Sequence, residues 1–307
     1  MPQPKAKGGT NELQERYSKL TLAKTRKTMI FANLFNRDYE GDPTAGAVKI
    51  PVRDTEVKVN DYDVTNGVSM TQSATAYKTL AIDQEKAVNE LIDGYEAAAV
   101  PDDLAADRVD SAGYSLGLTL DDALVTTALK GTGEAAGGTT PLTKDTIYEN
   151  IVDTVAKAKK MGLRPNEMWL ALTNETYATI VKAPQFIHAT PAGDGTIANG
   201  LVGRINGVEV YETNNIPDTQ KVEYILGNKI FCHFVDEWGT PVSINDLKDG
   251  KHIGASALQG RRVYGSDLSR PTTVFIKRNA PAPEAASLSD GLEIPAETPA
   301  KNSKSGK

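Results

Sequence analysis

Residues 47–79 read AVKIPVRDTEVKVNDYDVTNGVSMTQSATAYKT, and the fold turns on what this stretch can bury. Val48, Ile50 and Val52 alternate with other residues, and Val57 and Val59 flank Lys58, the period-two pattern of strands. From residue 60 to 79 the only large apolar side chains are Tyr62, Val64, Val68, Met70 and Tyr77, set among Asn, Thr and Ser. Two arms with so little to bury do not make a core sheet. A lone two-stranded hairpin is marginal in water, so this one is expected to be extended and to need a partner surface.

Upstream, residues 36–46 hold the polar and glycine signals of a loop. Residues 1–10 are rich in Gly, Pro and Lys, and Leu13, Tyr17 and Leu20 suit a short amphipathic helix. Downstream, Asp83 is expected to cap a helix from Gln84 to about Glu96. Pro101, Asp102 and Asp103 then begin a long helix. Its stripe of Ala105, Val109, Ala112, Leu116, Leu120, Ala123 and Thr127 steps by three and four as far as Lys130. Gly113 and Gly117 lie inside it at a cost in helix stability, which points to another backbone coming close.

The remainder alternates short elements. A helix is expected from Lys144 to Met161 with Gly162 as its cap, a buried strand at 169–172, and a short helix from Asn174 to Lys182. Asn206-Gly207 predicts a two-residue hairpin between 204 and 211. A second hairpin is expected around Gly227-Asn228, then a polar excursion over 236–252 and closing strands at 261–264 and 273–277. Residues 185–200 read as an irregular loop, and the Pro/Ala/Ser-rich tail from Ala280 as disordered. The sum is mixed α+β without strict βαβ alternation.

The chain has 307 residues, 34 basic against 40 acidic groups, a net charge of −6, and 39% hydrophobic residues. That charge is unevenly placed. Residues 1–29 hold seven basic groups against Glu12 and Glu15, a net of 7 − 2 = +5. Residues 83–130 hold eleven acids against Lys86, Arg108 and Lys130, a net of 3 − 11 = −8. A basic arm and an acidic body are complementary surfaces. The longest apolar runs fall far short of the ~20 residues that span a bilayer, no secretory signal opens the chain, and one Cys forms no internal disulfide.

No fragment specifies catalysis. Gly113-Tyr114-Ser115-Leu116-Gly117 matches Gly-x-Ser-x-Gly, but a nucleophile elbow needs a buried strand before it, and here a helical stripe continues. His233 alternates away from Cys232 and Phe234 along a strand. The glycines at 131, 133 and 137 miss the phosphate-loop spacing. Residues 60–67 approach a calcium loop, but Gln72 stands where the required Glu belongs, so a polar turn is expected. Catalytic, cofactor-binding and metal residues are therefore expected to be none. The arm, hairpin and acidic helix suit a protein that engages neighbours.

Asn36-Arg37-Asp38-Tyr39-Glu40-Gly41 followed by Gly46-Ala47-Val48-Lys49-Ile50 resembles major capsid proteins of tailed double-stranded DNA bacteriophages, with the Hong Kong 97-type fold. Leu80-Ala81-Ile82-Asp83 into Ile92-Asp93 is similar to that family's passage from its E-loop to its peripheral domain. Leu104 to Leu129 is similar to its spine helix, and residues 201–217, with Gly207, Val210-Tyr211, Asn214 and Pro217, to its axial-domain hairpin. Val263-Tyr264-Gly265, Pro271 and residues 274–276 resemble its return strand.

The resemblance implies an arm over 1–30, a loop and E-loop hairpin over 31–82, and a peripheral domain over 83–139. An axial domain over 140–255, return strands over 256–278 and a disordered tail over 279–307 complete it. It implies a structural, non-enzymatic protein that assembles with itself through hexamers and pentamers into an icosahedral virion head, built in the host cytoplasm. A separate scaffolding protein, a portal and non-specific contact with packaged DNA are the expected partners, with no membrane and no cofactor. Lys24, Arg26, Lys27, Lys49, Lys58, Tyr62 and Lys78 are the candidate inter-subunit contacts. The alternatives are an encapsulin-like compartment shell, which shares the fold, and a soluble α/β enzyme such as a serine hydrolase using Ser115.

Overall fold

The structure, a computed structural model, describes residues 26–39, 46–52, most of 57–70, 76–94, 104–183, 201–248 and 250–281. The expectations for the helix near Asn11, for residues 185–200 and for the tail beyond Pro281 lie outside the described residues, as do Lys24 and Lys58.

The described elements are α1 (Phe31–Leu34), β1 (Ala47–Val52), β2 (Ala76–Ala81), β3 (Gln84–Asp93), α2 (Leu104–Ala128), β4 (Gly133–Glu134) and α3 (Ile147–Lys160). There follow β5 (Met168–Thr173), α4 (Asn174–Val181), β6 (Leu201–Ile205), β7 (Val208–Thr213), β8 (Val222–Asn228), β9 (Cys232–Asp246), β10 (Ala255–Leu268) and β11 (Phe275–Arg278). They form a two-stranded hairpin β1-β2, a three-stranded sheet β3-β10-β9, and a six-stranded sheet β4-β11-β8-β5-β7-β6.

The six-stranded sheet is covered on both faces, which is why β5 is a continuous apolar run. Trp169 and Ala171 point to one cluster with Ile30, Phe31, Phe35, Leu120, Leu124, Val125 and Ile225. Met168, Leu170 and Leu172 point to the other, with Ile147, Ile151 and Val155 of α3, Ile180 of α4, and Tyr224. The Phe31 and Phe35 rings lie 5.8 and 6.4 Å from Trp169, edge-on and stacked. Such pairs contribute about 0.5–1.5 kcal/mol each beyond area burial.

The long helix α2 ties the two sheets together. At 1.5 Å per residue its 25 residues span about 37 Å. Near its start Val109 and Ala112 pack on Ile92, Leu258 and Val242 of the three-stranded sheet. Near its end Leu120, Leu124, Val125 and Ala128 join the cluster around Trp169. No residue of the expected stripe from Ala105 to Thr127 is exposed.

Three expectations are corrected. Residues 84–93 are not helix but strand β3, paired antiparallel with β10 from Gln84↔Tyr264 to Asp93↔Ala255. Val88 and Ile92 are four apart, a spacing that fits a strand face as well as a helix face, and the partner strand decides between them. Gly227-Asn228 is not a turn, because both residues lie inside β8. Gly227 faces Trp169 across the ladder, and a Cβ there would overlap the indole ring. Much of the polar excursion at 236–252 continues β9, held to residue 246 by pairing with β10. The other expected turn stands: Asn206 (φ 51°) and Gly207 (φ 85°) connect β6 to β7.

Candidate inter-subunit surfaces

The hairpin leaves the body at a fixed root. Val48, Ile50, Leu80 and Ile82 pack with Tyr39 and with Val235 of β9. Lys78 Nζ is 3.0 Å from an Asp267 carboxylate oxygen and also donates to the Leu268 carbonyl. Gly265 of β10 lies so close that a Cβ there would overlap the Ala81 carbonyl oxygen and meet Ile82 Cα at 3.0 Å. Backbone cannot yield as a flexible side chain does, so Gly265→Ala is expected to lose about 1–3 kcal/mol by overpacking. A variant that melts with the wild type would show that the root is not pinned there.

Beyond Val52 and Ala76 the subunit offers the described residues no cover. Val59 is 92% exposed, Val64 89% and Tyr62 73%, with Val57 and Met70 similarly open. The tip is a polar turn, as expected: Asp63 accepts from the Thr65 N–H at 2.7 Å and from Asn66, and Gly67 has φ 70°. Those hydrogen bonds, the Thr65 N–H first, hold the Asp63 carboxyl below its ordinary pKa.

The root of the basic arm lies on its own subunit. Arg26 pairs with Asp110 of α2, its guanidinium 4.9 Å from the Tyr114 ring, and the Lys27 N–H donates to Tyr114 Oη at 2.6 Å. Asp121 is 1% exposed. It accepts from the Phe31 N–H at 2.8 Å and from Asn215 Nδ2 at 2.6 Å, joining arm, helix and six-stranded sheet. Sequence reading assigned Asp121 no such role; its signal was a carboxylate close to an apolar stripe. Burial raises its pKa above the ordinary value.

Of the candidate contacts, Lys49 and Tyr62 stand exposed on the hairpin, Arg26 and Lys27 root the arm, and Lys78 is engaged within the subunit. The catalytic fragments stay apart in character. Ser115 Oγ donates to the Ser111 carbonyl within α2, with no elbow. His233 is buried against Tyr39 and 2.9 Å from Ser269 Oγ, and burial lowers its pKa. Cys232 is fully buried, its thiol pushed up to about 12 by burial. No described helix is long and apolar enough to cross a membrane.

The chain resembles solved capsid structures over most of its length. A chain from Mycobacterium phage Che8 superposes with a TM-score of 0.70 at 22% identity, over 89% of this chain and 99% of that one. The capsid structure of Cyanophage P-SCSP1u gives 0.69 at 17% identity, over 87% and 93%. The mature capsid of bacteriophage PhiM1 gives 0.67 at 14%, over 89% and 93%. No curated protein sequence matches. The phage capsid protein family model matches residues 95–276, which takes in the long helix, strands β9 and β10 and nearly all of the six-stranded sheet. The chain belongs to the phage capsid protein family, as a structural major capsid protein with the Hong Kong 97-type fold of the tailed phages.

Proposed function

We propose that copies of this chain assemble head-to-tail, through hexamers and pentamers, into an icosahedral shell that encloses double-stranded DNA in the virion. The observation that carries this is the set of apolar side chains beside the hairpin's polar turn, Val57, Val59, Tyr62, Val64 and Met70, which stand exposed among the described residues. A heterologous contact, in which one patch of each copy meets a different patch of the next, closes into rings. The hairpin, about 45–80, would lie on one neighbour and the arm, about 1–30, would reach another. The peripheral domain, 83–139 with the strands of 256–278, would flank the capsomer, and the axial domain, 140–255, would meet at its centre. The role is structural and not enzymatic. A separate scaffolding protein, a portal and non-specific phosphate contacts complete the partners, with assembly in the host cytoplasm.

Electron microscopy of the full chain, purified alone and with its scaffolding protein, tests this reading. Capsomers and shells are expected, and monomers under every condition would sink it. The charge argument has its own test. Lys24, Arg26 and Lys27 changed together to Glu should slow assembly, with the gap to wild type narrowing as salt rises. Equal kinetics at all ionic strengths would remove the arm's charge from the mechanism.

A further inference from the structure

His233 stands at the root of the hairpin, where three segments meet. On one side the chain leading to the hairpin runs beside it in parallel: the Asn36 N–H donates to the Cys232 carbonyl at 2.8 Å and the Phe234 N–H to the Asn36 carbonyl at 2.9 Å. On the other side its ladder partner is Asp267 of β10. The residue is 3% exposed. Its imidazole lies edge-on to the Tyr39 ring, 5.2 Å between centres, and Tyr39 packs in turn against Ile50 and Leu80 of the hairpin and Val235 of β9. The ring that closes the hairpin root therefore rests on this imidazole.

The hydrogen bonds fix the tautomer of the neutral ring. Ser269 Oγ donates to the Phe231 carbonyl at 3.3 Å, so it accepts from His233 Nε2–H at 2.9 Å. Nδ1 is then the bare nitrogen, buried with no partner among the described residues. A second proton would sit on Nδ1 and create a buried donor without an acceptor. The charged groups facing the ring are Asp267 of β10, Lys78 of β2 and Asp38 just ahead of Tyr39. Asp267 is already held by Lys78 at 3.0 Å, and that pair is the hairpin's other tie to the body. Burial, the largest influence, holds the imidazole pKa below its ordinary 6.5; Lys78 acts the same way, and Asp267 and Asp38 act against it.

We propose that His233 is a proton-operated catch on the hairpin root: neutral, it seats Tyr39 and leaves Asp267 to Lys78; protonated, it unseats Tyr39, competes with Lys78 for Asp267, and frees β1 and β2 to move against β9. The direction follows from linkage. An opened root exposes the imidazole to water and binds the proton at about 6.5, more readily than the closed root does. Closure is therefore fully supported above 6.5 and weakens as pH falls below it toward the lower value of the closed state. What this movement does in a shell rests on the hairpin being an inter-subunit contact, whereas the catch itself is read on the free subunit.

Hydrogen exchange of the unassembled full-length subunit tests this. Between pH 7.5 and 5.5, after correction for intrinsic exchange rates, peptides covering β1 and β2 should lose protection severalfold, by about tenfold at most, because the lower pH lies about one unit below the open-state pKa. Peptides covering β5 should keep theirs. His233→Gln takes up no proton in this range, so its β1 and β2 should be protected equally at the two pH values. Unchanged protection in the wild type, or the same loss in the Gln variant, would overturn the proposal. A second measurement needs no substitution. In the wild-type subunit with labelled histidine, the imidazole in nuclear Overhauser contact with a tyrosine ring should titrate below 6.5, and the tyrosine resonances should move in step with it. Titration at or above 6.5, or tyrosine resonances that stay fixed through it, would overturn the catch.

Discussion

A chain in which residues 53–75 are replaced by Asn-Gly is expected to fold and melt like the wild type but to form no capsomers. Val52 and Ala76 are direct partners at the end of the β1–β2 ladder, so a two-residue turn can join them. None of the four apolar clusters takes a described residue from 53–75. The subunit therefore loses surface, not core. The shell loses a contact of different size. If only two of Val57, Val59, Tyr62, Val64 and Met70 become buried on a neighbour, each contributes about 1.5 kcal/mol or more. The sum is about 3 kcal/mol, or roughly a hundredfold in the association constant at each contact. Circular dichroism with thermal melts reads the fold, and sedimentation velocity reads the assembly. Unfolding of the variant would make the hairpin part of the core, and shells at wild-type concentrations would remove it from the interface.

The hairpin was legible because its problem is compositional: alternation without enough apolar side chains shows in residues 47–79 alone. The long helix was legible because its stripe persists over about six turns, longer than any competing pattern. The failures share a cause. Residues 84–93 and Gly227 were decided by partners far along the chain, β10 in one case and the Trp169 ring in the other. Local propensity is a weak prior where tertiary pairing competes with it. The Asp121 junction was hidden for the same reason. Its donors come from residues 31 and 215, separated from it by 90 and 94 positions. The helix glycines misled: they signalled a close backbone, but a Cβ at Gly117 would meet only the Met29 side chain and one at Gly113 would meet nothing within 4 Å.

Asp121→Ala should be the most damaging single change in the body of the subunit. It leaves the Phe31 N–H and Asn215 Nδ2 unpaired at a buried junction, and the Ala32 N–H loses the same acceptor. Buried donors left without partners cost about 1–3 kcal/mol each, partly offset because a carboxylate no longer has to be desolvated. A net loss of about 2–4 kcal/mol follows, a fall in Tm of roughly 5–10 °C for a chain of this size. Asp121→Asn should lose much less. The Oδ1 of Asn215 has no partner, so a flipped Asn215 amide can accept from the new side-chain amide while its oxygen still accepts from Phe31. Acidity separates the charge from the shape. Burial, the largest cause, raises the Asp121 carboxyl above 3.8, against the hydrogen bonds that lower it. The folded state then holds this proton more tightly than the unfolded state, and the group's contribution falls as pH rises from 3.8 through the raised folded value. Asp121→Asn lacks that proton. Relative to it, the wild type should therefore gain stability as pH is lowered toward 4 and lose it on return to 7, measured by paired urea melts. A wild-type advantage that instead grows with pH would show that the hydrogen bonds outweigh burial and that the junction favours the carboxylate.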